Sequence, residues 1–411
     1  MRLLDGVVRP YAWGSRTALA DLRGLPTPSA HPEAELWFGA HPAAPAPAHD
    51  GNSTATLLEV IDSDPAGQLG AQCADQFGGR LPFLLKVLAA EEPLSLQAHP
   101  SLEQAKEGFA RENAQGIEVG AANRNYRDDN HKPELVVALT DFDALAGFRD
   151  IADTVELLRV LQVPELDSHL GMLAGQPDPQ GLRALFTTWI TLPESALSVL
   201  IPAVLAGAIR YLESGQTQFA LVARTLLEIG ENYPTDPGVL AVLLLNRVAL
   251  KPGQGLFLPA GNLHAYLGGT AIEVMANSDN VLRGGLTPKH VDVPELLRVL
   301  DFTPVTPADI APTVHTVNAE MIYQAPVSEF RLSKVELDGT GMRRPSSILF
   351  DVPGPQILLC TSGSIELRGS AKQLLVPQGS AAWIGDDEPD VVVHAASAHS
   401  TFFRALVPGN F

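Results

Sequence analysis

The spacing of apolar positions predicts two strands and then a helix within residues 81–115. Residues 83–88 form a short apolar run, and residues 94–99 alternate apolar and polar side chains with a period of two. Both patterns are typical of strands. Residues 101–115 predict a helix, because Ser101 stands at the N-cap position and glycines follow the last charged turn.

The period then changes to that of helices between residues 151 and 230, most clearly in Thr154–Leu161 and Phe219–Leu227. Strand patterns flank this region, at Leu135–Leu139 before it and at Ala271–Met275 after it. We therefore expect a helical domain inserted between β elements, followed by a short helix over residues 294–300 with a proline in its first turn.

From about residue 330 onward the chain predicts only strands and turns, as in a β-sandwich or jelly roll. The clearest strands are Phe330–Leu337, Ile357–Cys360, Ser364–Leu367 and Val391–Val393. The predicted fold class is therefore mainly β with a helical insertion.

Two turns of the form Pro-x-Gly resemble each other and suggest related β units. The spacing Gly253-x5-Pro259-x-Gly261-x2-His264 follows the second motif of cupin barrels, whereas the similar run from Pro377 ends at Ala382 instead of histidine. For this second copy, a common turn is an equally good explanation. We expect a discontinuous cupin-like jelly-roll domain over 1–150 and 231–311, a helical domain over 151–230, and a second jelly-roll-like β domain over 312–411.

Composition narrows the function classes. The 411 residues include 28 Lys and Arg against 47 Asp and Glu, a net charge of −19, which argues against nonspecific nucleic-acid binding. Two distant cysteines form neither a disulfide framework nor a thiolate cluster, so we expect a cytoplasmic protein. The first residues lack a signal-peptide pattern, and the longest apolar run, Ala196–Ile209, is too short for a membrane span.

Polar side chains with metal-binding chemistry occur in the predicted β elements. Ser95, Gln97 and His99 share one face of a strand, although a solvated outer face explains such alternation more often. His264 ends the cupin-like motif, and standing alone it is equally a hydrogen-bonded core histidine. Glu134 begins an apolar strand, where a carboxylate is costly unless it is paired or coordinated. Together Gln97, His99, Glu134 and His264 offer ligands suited to zinc or another divalent metal.

Basic residues are scarce, so their positions matter in a chain with this net charge. Lys86, Lys132, Arg283 and Lys289 all lie in or beside the same segments. They could concentrate positive charge for an anionic substrate. Each could instead be a solvated surface charge, and for Lys289 that interpretation is preferred.

Several motifs together resemble type I phosphomannose isomerases over much of residues 8–150 and 230–302. The matching segments are Tyr11–Gly14, Ala34–Pro42, Leu94–Pro100, Asp129–Glu134 and Gly269–Asp292, of which Ala276–Arg283 is the most specific. The resemblance implies a zinc-dependent interconversion of mannose 6-phosphate and fructose 6-phosphate through an ene-diol. It also implies a small sugar-phosphate substrate, a monomer, and a role in supplying mannose for GDP-mannose and glycan synthesis.

The same resemblance implies roles for individual residues. The zinc ligands would be Gln97, His99, Glu134 and His264, for one Zn²⁺ per chain. Arg283 matches the family's essential arginine, expected to stabilise an oxyanion or position the sugar. The remaining expected residues are proton-transfer candidates Lys132, His131 and Glu273, phosphate or sugar contacts Lys86 and Ser95, and pocket-lining residues Trp13, Tyr266 and Asp279.

Two other functions fit the motifs less well. A cupin oxygenase would use similar metal ligands, but it would not explain the lysines and the arginine. A sugar-binding protein with a structural zinc would have no need of His131, Lys132, Glu273 and Arg283. Because cupin barrels support many chemistries, the fold alone cannot decide among these functions.

Overall fold

A computed structural model describes residues 1–51, 53–388 and 390–409. The strands in these ranges are β1 (Arg2–Leu4), β2 (Val7–Arg9), β3 (Glu35–Phe38), β4 (Pro47–His49), β5 (Thr54–Thr56), β6 (Phe83–Ala90), β7 (Leu96–Ala98), β8 (Glu134–Ala138), β9 (Phe142–Phe148), β10 (Leu245–Leu250), β11 (Gly255–Leu258), β12 (His264–Ala276), β13 (Leu282–Gly285), β14 (Thr313–Val317), β15 (Glu320–Gln324), β16 (Arg331–Asp338), β17 (Ser347–Phe350), β18 (Gln356–Ser362), β19 (Ser364–Arg368), β20 (Gln373–Pro377), β21 (Ala381–Ile384), β22 (Val391–Ala395) and β23 (His399–Leu406).

Six of the twelve helices in the described ranges, with most of the helical residues, lie between β9 and β10. They are α1 (Ala18–Leu22), α2 (Leu57–Ser63), α3 (Pro65–Leu69), α4 (Ala71–Gln76), α5 (Leu102–Ala114), α6 (Ile151–Val160), α7 (Asp167–Gly175), α8 (Pro179–Ile190), α9 (Glu194–Glu213), α10 (Ala220–Asn232), α11 (Gly238–Ala241) and α12 (Val293–Val299), with a 3-10 turn at Pro164–Leu166. This arrangement confirms the predicted fold class, mainly β with a helical insertion.

The ten-stranded sheet is organised around the long strand β12. Its order is β10-β9-β12-β6-β3-β2, with β7, β8, β11 and β13 attached beside that path. β12 pairs antiparallel with β6, β7, β8 and β9, so one strand brings residues from four others into register. The predicted strand at 94–99 is the shorter β7, and its Leu96 and Ala98 are buried as expected.

A nine-stranded sheet and a four-stranded sheet form the C-terminal β unit, with orders β14-β15-β16-β23-β18-β21-β1-β4-β5 and β17-β22-β19-β20. Three of the nine strands come from the first 56 residues, and β1 pairs with β21 through Leu3 opposite Ala382. Strands of the predicted 1–150 domain thus complete a sheet that otherwise starts at Thr313. The domain boundaries themselves stay predictions.

Side-chain capping and buried apolar faces account for the predicted helices. Ser101 caps α5 with a capping box, in which its side chain accepts from Gln104 N while Gln104 bonds back to Ser101 N. The helices α6–α10 bury their apolar faces in one core, to which α8 contributes Trp189. By length and composition α9 could span a membrane, and it packs one face, including Ile201 and Val204, into this core while 39% of its apolar window is buried.

Candidate active site

Three side chains in the ten-stranded sheet form a compact group of metal-ligand type. Potential ligand atoms of His99, Glu134 and His264 all lie within 4.8 Å of one another, and all three residues are buried. His99 Nε2 is 3.3 Å from Glu134 Oε1, and His264 Nε2 is 3.4 Å from Glu134 Oε2. The group therefore points two imidazole nitrogens and a carboxylate at one place.

Strand registers bring the three residues together. His264 begins β12 opposite Gln97 of β7, and Glu134 begins β8 opposite Met275 of the same β12. His99 directly follows β7, after the buried Ala98. Side chains two positions apart in a strand share a face, and because His99 lies just beyond β7 the expectation for Gln97 and His99 stays a prediction.

The histidines are oriented for metal binding by backbone carbonyls. His99 Nδ1 donates to Asn280 O at 2.8 Å, and His264 Nδ1 donates to Asn262 O at 3.0 Å, which leaves Nε2 of each ring as the acceptor. Within the described ranges His99 Nε2 is buried without a hydrogen-bond partner. A buried, orphaned ring nitrogen beside a carboxylate is what a metal site requires, so these residues fit a zinc ion.

The surroundings of His99 and Glu134 favour the protonation states that bind metal ions. Burial lowers the pKa of His99 to about 4, although Glu134 opposes the shift, so the imidazole is neutral at pH 7. Burial acts to raise the pKa of Glu134, but His99 and Lys132 hold it well below its usual range. Neutral imidazole and ionised carboxylate are the forms that bind metals.

A second buried group lies next to this one. Tyr266 Oη donates to Glu273 Oε1 at 2.8 Å and lies 3.4 Å from Glu134 Oε2. Lys86 Nζ is 2.6 Å from Glu273 Oε2 and 3.6 Å from Glu35 Oε1. The register of β12 with β6 explains this pairing, because Glu273 stands opposite Lys86.

Burial and charge shift the acid-base properties of this second group. Burial acts to lower the pKa of Lys86, but Glu273 and Glu35 raise it above its usual value, so the ammonium is retained. Burial raises the pKa of Glu273, although Lys86 opposes it. Burial, together with Glu273 and Glu134, raises the pKa of Tyr266. Lys86 is therefore a paired cation held by two carboxylates.

A cavity of about 630 Å³ opens beside both groups. Seven predicted site residues line it: Trp13, Lys86, Ser95, Gln97, Lys132, Asp279 and Arg283. Sequence reasoning missed other lining residues, including Tyr11, Glu35, Trp37, Arg124, Asn125, Arg127 and Tyr233. Lys289, interpreted as a surface charge, is exposed but also lines the cavity.

Three cations concentrate positive charge on the cavity wall. Arg127, Arg283 and Lys289 all line the cavity, and none pairs with a carboxylate in the part of the chain that the structure describes. Burial lowers the pKa of Arg283 and Arg127 lowers it further; burial and both arginines lower the pKa of Lys289. Three like charges held together without an ion-pair partner among the described residues form a site for an anion, although Asp279 also lines the cavity and interacts with Arg127.

The remaining expected residues differ in their position relative to the cavity. Lys132 lines the cavity with its Nζ 3.5 Å from Glu134 Oε1. Glu273 and Tyr266 are almost fully buried and reach the cavity only through their contacts. His131 is not a lining residue, because its Nε2 is held 2.7 Å from Glu329 Oε1.

Comparison with known proteins agrees with this geometry. Residues 1–151 match the family model of the type I phosphomannose isomerase catalytic domain. Mannose-6-phosphate isomerase of Salmonella typhimurium is 40% identical over 95% of this chain and 96% of its own length. The enzyme of Rattus norvegicus is 33% identical over 98% and 97%.

Solved structures show the same likeness. The Salmonella typhimurium mannose 6-phosphate isomerase bound to its substrate, fructose 6-phosphate, and zinc covers 100% of both chains, with a TM-score of 0.89 and 38% identity. A zinc-bound mannose 6-phosphate isomerase covers 99% of both, again with a TM-score of 0.89 and 38% identity. Together with the site geometry, these similarities show that the chain belongs to the mannose-6-phosphate isomerase family, the type I phosphomannose isomerases.

Proposed function

We propose that this chain is a zinc-dependent aldose-ketose isomerase that interconverts D-mannose 6-phosphate and D-fructose 6-phosphate. The observation that carries the proposal is the position of the buried His99, Glu134 and His264 group beside a cavity with three unpaired cations. The metal-ligand group suits a hydroxy-carbonyl substrate, and the cations suit its phosphate. The relative with bound fructose 6-phosphate and zinc supports the same substrate class.

The ligands for one Zn²⁺ are Gln97, His99, Glu134 and His264. Gln97 completes the set because it lies opposite His264 and faces the cavity, where its amide oxygen is available. A zinc ion bound there supplies Lewis-acid stabilisation of negative charge on the sugar oxygens. Asn280 and Asn262 fix the ring orientation of the two histidines through their backbone carbonyls.

Arg127, Arg283 and Lys289 bind the substrate's anionic part. A phosphate dianion needs local positive charge in a protein with a net charge of −19, and these three cations have no carboxylate partner among the described residues. Arg283 additionally stabilises the oxyanion or positions the sugar. Lys86 is already held by Glu273 and Glu35, so it contacts the sugar and leaves the phosphate to the unpaired cations.

Lys132 is the proton-transfer residue among the three candidates. It alone of the candidates lines the cavity, and it lies beside Glu134. It moves the proton between C2 and C1 as the ene-diol forms and collapses. Glu273 orients Lys86 and Tyr266, while Trp13, Ser95 and Asp279 line the space for the sugar.

The cellular setting follows from the same proposal. The product mannose 6-phosphate supplies mannose for GDP-mannose and glycan synthesis. We propose a cytoplasmic monomer without nucleic-acid or membrane partners, in keeping with the acidic charge and with the packing of α9 in the core.

The test is conversion of mannose 6-phosphate to fructose 6-phosphate by purified, zinc-loaded protein, with unphosphorylated mannose as the matched substrate. We expect conversion of the phosphorylated sugar and a kcat/KM for mannose at least about 1,000-fold lower, because an unpaired cation group gains little from a neutral sugar. No conversion of mannose 6-phosphate by folded, zinc-loaded protein would contradict the proposal.

A further inference from the structure

One hydrogen bond joins the C-terminal β unit to the loop that carries Lys132. His131 Nε2 donates to Glu329 Oε1 at 2.7 Å, across 198 positions of sequence. Glu329 lies in the connection between β15 and β16 of the nine-stranded sheet, whereas His131 precedes β8 of the ten-stranded sheet. The contact therefore reaches from one sheet to the edge of the candidate active site.

The buried carboxylate of Glu329 lowers the stability of the fold. It is only 7% exposed, and in the described part of the chain its Oε2 has no hydrogen-bond partner. A buried carboxylate with one unsatisfied oxygen costs free energy of folding. Burial acts to raise its pKa, but the hydrogen bond from His131 holds it below the usual value, so the carboxylate stays charged. Stability alone does not account for such a group.

The loop before β8 is clamped on its other side by Asn280. Asn280 Oδ1 accepts from Arg127 N at 2.7 Å, and Asn280 Nδ2 donates to Asn130 O at 2.8 Å. Asn130 Oδ1 in turn accepts from His131 N at 3.0 Å, and the His131 side chain makes the bond to Glu329. Lys132 follows immediately, with its Nζ 3.5 Å from Glu134 Oε1.

We propose that Glu329 is a positioning residue for the isomerisation, which holds Lys132 at the cavity wall by fixing His131. The inference rests on the proposed function, in which Lys132 transfers the proton. It gives the C-terminal β unit a part in the reaction although that unit contributes no residue to the cavity lining within the described ranges. A misplaced proton-transfer group reduces turnover more than it reduces substrate binding.

The kinetic test compares two variants of Glu329 with a matched control. Glu329→Ala should lower kcat about 10-fold and change KM at most about twofold, with zinc content unchanged, because placement of Lys132 is lost but the cations remain. Glu329→Gln keeps an acceptor oxygen and should recover most of the turnover. The control Tyr323→Phe removes another bond between the two sheets, from Tyr323 Oη to Gly253 O at 2.8 Å, and should leave kcat unchanged.

A double-mutant cycle tests whether the effect passes through His131. In a His131→Ala background, Glu329→Ala should add no further loss, because the bond is already absent. Additive losses, or an equal loss in Tyr323→Phe, would overturn the proposal in favour of a general packing effect.

Hydrogen exchange tests, independently of activity, whether Glu329 orders the loop that carries Lys132. In zinc-loaded Glu329→Ala, backbone amides of residues 129–132 should exchange at least about 10-fold faster than in the parent, whereas Tyr323→Phe should match the parent. Unchanged exchange would overturn the positioning role. If the parent protein failed to isomerise, the proposed function would fall, and the exchange rates would still decide whether Glu329 orders this loop.

Discussion

The two β units of this chain share a turn but differ in their interiors. Gly261 and Gly379 both follow Pro-x and both adopt left-handed backbone, with φ of 77° and 80°. Three residues after the first turn stands His264, which faces Glu134; three residues after the second stands Ala382, buried against apolar side chains such as Leu358 and Phe402. The turn is thus a feature of the scaffold, and the chemistry depends on which side chains point inward.

The two interiors also differ in how their buried side chains contribute to the free energy of folding. The C-terminal interior around Ala382 is made of apolar side chains, whose burial stabilises the fold directly. The buried Arg404 of this unit is bonded to Gln356 and Glu320. The region around the ten-stranded sheet buries His99, Glu134, Lys86 and Glu273, which destabilise the fold unless each finds a partner or a ligand. These four buried groups lie beside the cavity, which is typical of a functional interior.

Removing the histidine from the first turn should have the largest effect. His264→Ala takes away one ligand nitrogen, so zinc retention and isomerisation should both fall at least about 1,000-fold. Metal analysis after dialysis and the conversion rate check this result. A variant that keeps full activity and its metal would exclude the proposed ligand set.

The reciprocal change should not create a site. Ala382→His places an imidazole among apolar neighbours without a carboxylate, so no second zinc should bind, and the free energy of unfolding should fall by about 1–3 kcal/mol. Metal stoichiometry and denaturant unfolding measure these two outcomes. Tight binding of a second ion would show that the turn, rather than its surroundings, makes the site.

Loss of a cation should separate turnover from metal binding. Arg283→Ala should reduce kcat about 100-fold or more while zinc content stays at one per chain, because Arg283 pairs with Gln97 through its position in the β-ladder, which the substitution leaves in place, and is not itself a ligand. The control is Arg368→Ala, an arginine of β19 that pairs with Glu366 at the surface. Loss of zinc from Arg283→Ala would instead indicate a structural role.

Lys132→Gln should lower kcat about 100-fold with zinc content and KM little changed, because a neutral amide cannot transfer the proton. The exposed Lys251, paired with Asp141, provides the control variant Lys251→Gln. Steady-state kinetics on metal-loaded protein would show the difference. If Lys132→Gln kept the parental kcat, another residue would have to transfer the proton.

The smallest effect on turnover should come from the apolar interior. Leu367→Ala removes a fully buried side chain of β19 and should lower the free energy of unfolding by about 2–5 kcal/mol. The kcat per folded molecule should stay unchanged, because this core lies away from the cavity lining. Denaturant unfolding and steady-state kinetics on the same preparation measure these two quantities. A large loss of kcat would show that packing in the C-terminal interior affects the active site.

Local patterns predicted some elements, such as α5 and β7, and indicated His99, Glu134 and His264 as candidate ligands, whereas the helices α1–α4 were not predicted. The capping of α5 by Ser101 and the alternation in β7 depend on neighbours in sequence, so their patterns predict them directly. The turn of fixed spacing from Gly253 to Gly261 indicates His264 as a candidate ligand. Such features are encoded within a few residues.

Contacts between distant segments were not predictable in the same way. No local period indicates that Leu3 pairs with Ala382, since the register of strands so far apart depends on the whole packed sheet. Arg127 and Lys289 lie in loops held by distant residues, because Arg127 N donates to Asn280 and Thr287 N, two residues before Lys289, donates to Asp236. His131 lies in a matching motif, yet its orientation depends on Glu329, almost 200 residues away.

A zinc titration tests the central account most directly. Chelated protein would be reloaded with increasing Zn²⁺ while bound metal and the conversion of mannose 6-phosphate to fructose 6-phosphate are measured together. The account predicts no activity in the chelated protein, a linear rise with added zinc, and a plateau at one ion per chain. Full activity in metal-free protein, or activity that rises only with a second ion, would contradict it.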